Sequence, residues 1–175
     1  MNRFLIFCTI ALLLCTSAMA GTLSAKETDT LKTDIELMYA AFESGDARIL
    51  LNKTHSSVYR LSGGKRALQE SLRKAMLYLR EHHVKYIQSE LGSPTATYTA
   101  GSEEVCFVPR TSVLGINGKR VKTTGFLIAI RSLSGGSWKY IDSAALIENP
   151  ELLRTLLPKL HIPEELPKNS TELLD

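Results

Sequence analysis

The sequence predicts an α+β fold, helices first and a curved antiparallel sheet after them. Three observations carry this. Asn117-Gly118 is a two-residue turn signal, because both central positions of a type I′ turn need positive φ, and it joins residues 104–114 to 120–131 as a hairpin. Gly125-Phe126-Leu127-Ile128-Ala129-Ile130 has no polar side chain, so neither face suits water, as in a central strand covered on both sides. Upstream, apolar residues recur at helical spacing in segments able to supply a cover.

The chain has 175 residues, 44% of them hydrophobic and 22% charged, which suits one ordinary globular domain. Its formal charge of +3 is small and gives no reason to propose a nucleic-acid partner, so none is expected. Residues 1–20 read as a signal peptide: Arg3 is the positive segment, the apolar run from Phe4 to Cys15 is short for a bilayer, and Ala18-Met19-Ala20 is a small-x-small cleavage pattern. The expected product is an exported chain, periplasmic or secreted, that begins at Gly21 and has no stable membrane insertion. The minor alternative is a lipid anchor at Cys15, disfavoured because Leu14 before it is not small. Once Cys8 and Cys15 leave with the signal, Cys106 has no intramolecular disulfide partner, and its place in Val105-Cys106-Phe107-Val108 reads as a small buried hydrophobe.

Residues 21–29 are small and polar and read as a flexible lead-in. A first helix is expected from Thr30 to Ser44, with Leu31, Ile35, Met38, Tyr39 and Phe42 on one face and Gly45 as its stop. Asp46 caps a short second helix through Leu51. The β-favouring stretch from His55 to Leu61 reads as a short strand, turned by Ser62-Gly63-Gly64 into a third helix over 65–81 that buries Leu68, Leu72, Ala75, Met76 and Leu79. His82-His83 closes it; adjacent histidines diverge on a helix and lack further ligands at metal spacing, so no metal is expected, and no motif calls for a cofactor.

Residues 84–91 alternate as a strand, placing Val84, Tyr86, Gln88 and Glu90 on one face and Ile87 and Leu91 on the other. Residues 95–99 form a weaker strand. Ser134-Gly135-Gly136 leads to a last strand with Trp138, Tyr140 and Asp142 on one face. Asn149-Pro150-Glu151 reads as a helix start, and the tail beyond Pro158 as extended chain. The sequons at Asn52 and Asn169 are read as chance matches in a bacterial protein.

Helices followed by a curved antiparallel sheet resemble the NTF2-like, or SnoaL-like, superfamily of cone-shaped α+β barrels. The residues carrying the resemblance are Tyr39-Ala40-Ala41-Phe42-Glu43-Ser44-Gly45-Asp46, Leu61-Ser62-Gly63-Gly64-Lys65-Arg66-Ala67-Leu68 and Trp138-Lys139-Tyr140-Ile141-Asp142. The resemblance implies three N-terminal helices on the sheet over residues 30–148, a C-terminal helix and tail over 149–175, and a pocket between sheet and helices. That pocket hosts steroid isomerases, cyclases and dehydratases as well as binding modules. The isomerase tyrosine position falls on Met38, and the base position meets Leu61-Ser62-Gly63-Gly64, which has no carboxylate. The leading expectation is therefore a module that binds a small apolar ligand or a protein partner. Its expected site residues are Tyr39, His55, Glu90, Trp138, Tyr140 and Asp142. The alternatives are an acid–base enzyme using His55 with Asp142 or Glu90, and a homodimeric scaffold.

Overall fold

The computed structural model describes residues 21–146, 149–161 and 165–175, so the expected signal peptide lies outside the described part. The first helix, α1 (Ala25–Ser44), begins earlier than its apolar periodicity predicts. The reason is a capping box: the Glu27 N–H bonds the Ser24 hydroxyl at 3.3 Å while the Glu27 carboxylate accepts the Ser24 N–H at 2.9 Å. The predicted flexible lead-in is thus mostly helix, and Gly21 pairs with Thr97. Gly45 ends α1 at φ 78°, a left-handed position open to glycine, and Asp46 caps α2 (Ala47–Lys53) by accepting the Arg48 N–H at 3.0 Å.

The predicted strand over His55–Leu61 is instead a helix, α3 (Ser56–Leu61), so four helices precede the sheet rather than three. His55 turns the chain: its ring accepts the Ser57 N–H as an N-cap, and its own N–H bonds the Tyr140 carbonyl at 3.0 Å. Extended pairing shrinks to a single bridge from Thr54 to Tyr140. Capping and this tertiary bond override the local β preference of Val58 and Tyr59. In α4 (Lys65–Glu81) only Met76 is fully buried, while Leu68, Leu72 and Leu79 are half-covered and Ala75 is exposed. That helix packs on α2 and α3, which cover less of its stripe than a sheet would.

The sheet is open, antiparallel and six-stranded: β1 (Lys85–Leu91), β2 (Tyr98–Ala100), β3 (Glu103–Ile116), β4 (Lys119–Ser132), β5 (Lys139–Asp142) and β6 (Ser170–Leu173). The β3–β4 hairpin is its spine. Ile116 pairs with Lys119 across Asn117 and Gly118, at φ 52° and 80°, as the turn chemistry requires. Shorter strands share its two edges: β1 and β2 line β3, while β5 and β6 line β4. Every residue from Gly125 to Ile130 is buried. On one face Val105, Phe107, Phe126 and Ile128 pack against Leu153 and Leu156 of α5 (Leu152–Leu156). On the other, Cys106, Val108, Leu127 and Ala129 pack against Leu31 and Ile35 of α1.

Two local details differ from expectation. The β1 register shifts between Tyr86, opposite Leu114, and Gln88, opposite Val113, which leaves Ile87 unpaired as a bulge. One extra residue reverses the alternation downstream, so Leu91 joins Tyr86 on the α1 side and Glu90 turns to the other. The tail is not merely extended: β6 pairs with Val121–Thr124, and Asp175 binds Arg120 at 2.8 Å. Between β5 and β6 the Ser143 hydroxyl accepts the Phe126 N–H at 2.9 Å and donates to Asn169 Oδ1 at 2.8 Å, so side chains complete the ladder.

Arg131 clamps the start of α1 to β4. Its guanidinium contacts Glu27 at 2.5 Å and Glu104 at 2.6 Å and lies 4.3 Å from the Trp138 ring centroid. Hydrogen bonds from Ser24, with help from Arg131, hold the Glu27 carboxyl at about 2, below its ordinary 4.5. A folded pKa below the unfolded one stabilises the fold fully above pH 4.5, and that contribution is lost as pH falls toward 2. Thermal melts of Glu27→Gln should therefore lie below the parent at pH 7 and converge on it toward pH 2.

Candidate functional site

Along the α1 face of the hairpin the inward side chains change character. Cys106 and Val108 give way to Arg110 and Ser112, and across the hairpin Ala129 and Leu127 give way to Gly125 and Thr123. Apolar packing against α1 is tight where the first set lies and opens where the second begins. The result is a cavity of about 380 Å³ between the C-terminal half of α1 and the sheet, in the size range of small-molecule pockets. Ile35, Met38, Phe42, Leu50, Leu114 and Leu127 make its walls mainly apolar, and Asn169, Ser170 and Thr171 of the tail close one side. Phe42 and Tyr86 also border a second hollow of about 340 Å³ between α4 and the start of β1.

The polar centre of this cavity is Arg110, whose side chain is 18% exposed. Gly125 lies directly across the strand pair; a Cβ there would stand 3.0 Å from Asn169 Oδ1 and 3.9 Å from Arg110 Nε, so its absence keeps the space beside the guanidinium open. Arg110 Nη2 donates to Asp142 Oδ1 at 2.6 Å, and the same carboxylate oxygen accepts the Ala144 N–H at 2.9 Å. Burial works against the Arg110 charge, but Asp142 outweighs it and holds the guanidinium above the ordinary arginine value. Burial likewise pushes the Tyr86 phenol up, partly offset by Arg110. The Tyr39 hydroxyl stands close enough to Arg110 to favour its charge, is shut off from solvent, and makes no hydrogen bond of normal distance and angle among the described residues. An unpartnered buried hydroxyl costs about 1–3 kcal/mol, so its position invites a function.

Of the residues expected from sequence, the cavity brings together Tyr39 and Asp142. Tyr140 is 2% exposed and bonds Asp34 at 3.2 Å, an acid also paired with Lys53 at 2.5 Å. Trp138 is a packing anchor beneath Arg131. Glu90 is exposed, bonded by Gln88 at 2.7 Å, and carried away from the cavity by the bulge at Ile87. His55 sits at the other end of the hairpin, beside β2 and β3, where its Nε2 lies 3.0 Å from Glu103 and its Nδ1 2.8 Å from the Ser57 hydroxyl. This carboxylate–His–Ser chain has the composition of a nucleophile relay, but Ser57 is 3% exposed and its hydroxyl caps into the His. It is thus a locked helix start. His55 and Asp142 therefore share no reaction centre.

Arg110, Tyr86, Ser112 and Thr123 complete the site and are absent from the sequence expectation. The signal for the two β3 residues is the period-two alternation from Cys106 and Val108. His82 bonds the Tyr78 carbonyl at 2.8 Å, and among the described residues no cluster of His, Cys, Asp or Glu could hold a metal ion. Comparison with protein-family models, curated protein sequences and solved structures returned no match.

Cys106 lies under α1, completely buried, and burial pushes its thiol up to about 12. A disulfide reagent at pH 8 should label it only after denaturant is added. Rapid stoichiometric labelling of the native protein would contradict the packing of α1 on β3.

Proposed function

We propose that this chain is an exported NTF2-like binding module that takes a small, largely apolar molecule into the hollow between α1 and the sheet. The observation that carries the reading is a cavity of about 380 Å³ between α1 and the β3–β4 hairpin, its surface mainly apolar, with Arg110, Tyr39 and Asp142 among its polar lining residues. Further support is that no helix among the described residues is long and apolar enough to cross a membrane, which fits a chain free of the bilayer after cleavage.

A catalytic reading is less favoured. Among the described lining residues the titratable groups are two phenols, a guanidinium and an acid already paired with it, and none is a His. The scaffold reading has its own support in Leu77 and Tyr78 of α4 and Ile87 of β1, apolar side chains more than half exposed.

Native mass spectra recorded before and after organic extraction test the proposal. The expected result is a reproducible extra mass that extraction removes and that returns with the purified extract. A clean ligand-free mass, together with failure of the protein to take up any apolar probe, would overturn it and favour the scaffold.

A further inference from the structure

Resting on the binding reading above, we infer that the occupant is an amphipathic carboxylate, its apolar body among the α1 side chains and its acid group on Arg110. The argument begins with donor arithmetic. A guanidinium carries five N–H donors, and Arg110 spends one of them, from Nη2, on Asp142. Its remaining donors make no hydrogen bond of normal distance and angle among the described residues, although the Tyr39 hydroxyl lies close by, the side chain is 18% exposed and it borders the cavity. A mostly buried cation with spare donors is matched by a planar anion able to take two parallel N–H bonds. Tyr39 supplies the second, independent observation: a sealed hydroxyl without a partner beside that cation. A small rotation of the guanidinium toward an incoming acid would give both groups the bonds they lack. The α1 wall chooses the remainder of the ligand: Ile35, Met38 and Phe42, with Leu127 facing them, suit an apolar body, and the hydroxyls of Ser112 and Thr123 carry no charge to pair with a second ionised group.

Asp142 sets the strength of the site. It is 49% exposed at the rim and holds Arg110 as a built-in competitor for an external acid. Its removal leaves the guanidinium free for the ligand.

Decanoate and 1-decanol share an apolar tail and differ at the head, so calorimetric titration of the purified protein with each separates the cavity from the acid site. The parent should prefer decanoate by about tenfold or more, as a charge-assisted pair does over a neutral one. R110M should collapse that preference, R110K should keep part of it, and Y39F should lower it severalfold. D142N should raise decanoate affinity, an effect that a purely structural Arg110–Asp142 bridge would not produce. Equal affinity of the parent for acid and alcohol, or a preference surviving R110M, overturns the carboxylate inference while leaving the cavity reading intact. Binding of neither probe overturns both.

Discussion

The constraint on which this molecule turns is the double burial of β4. From Gly125 to Ile130 neither face tolerates water, and a strand of that kind is stable only with a layer on each side. The α5 segment and the chain after it meet one face through Leu153, Leu156, Leu157 and Leu160. The other is roofed by α1. Arg131 then fixes where that roof begins, gathering Glu27, Glu104 and Trp138 at one end of the hairpin. The clamped end is the packed end.

From the clamp onward the roof and the sheet part company. Leu31 and Ile35 meet apolar partners, but Tyr39 and Phe42, one and two turns later, face Arg110, Ser112 and Thr123. These side chains do not close against a helix, and Gly125 contributes none at all. A hollow follows from the residue types, with Arg110 as its one mostly buried cation among the described lining residues. The C-terminal strand completes the enclosure, held by the Ser143–Asn169 bond and by Arg120 with Asp175. Fold and candidate site thus share one cause, the change of inward residues half-way along the β3–β4 hairpin.

Much of this was legible in the sequence. Asn117-Gly118 marks the hairpin, the unbroken apolar run marks the doubly covered strand, and Gly45-Asp46 marks the break between α1 and α2. Other features are settled by contacts that no local pattern encodes. His55–Leu61 has strand propensity, yet a ring nitrogen capping Ser57 and a bond to Tyr140 make it helical. A single bulge at Ile87 sends Glu90 away from the face its alternation indicates. Two signals were present in plain form: the Ser24-Ala25-Lys26-Glu27 box that starts α1, and the alternation that sets Arg110 beside Val108 on the inner face. Arginine in a strand is easily taken for a solvated charge, and here Gly125 across from it creates the space that makes it otherwise.

The hollow itself is the claim on which the functional account stands, and a cavity-filling substitution tests it directly. Leu114 lines the cavity, opposite Tyr86, and Leu114→Trp would extend an indole into the space. Urea unfolding should place this variant within about 1 kcal/mol of the parent, since added atoms that enter free volume force few off-rotamer side chains. A loss well beyond about 1 kcal/mol, toward the upper end of the roughly 1–3 kcal/mol that overpacking costs, would mean that α1 already closes on the sheet and that no ligand space exists.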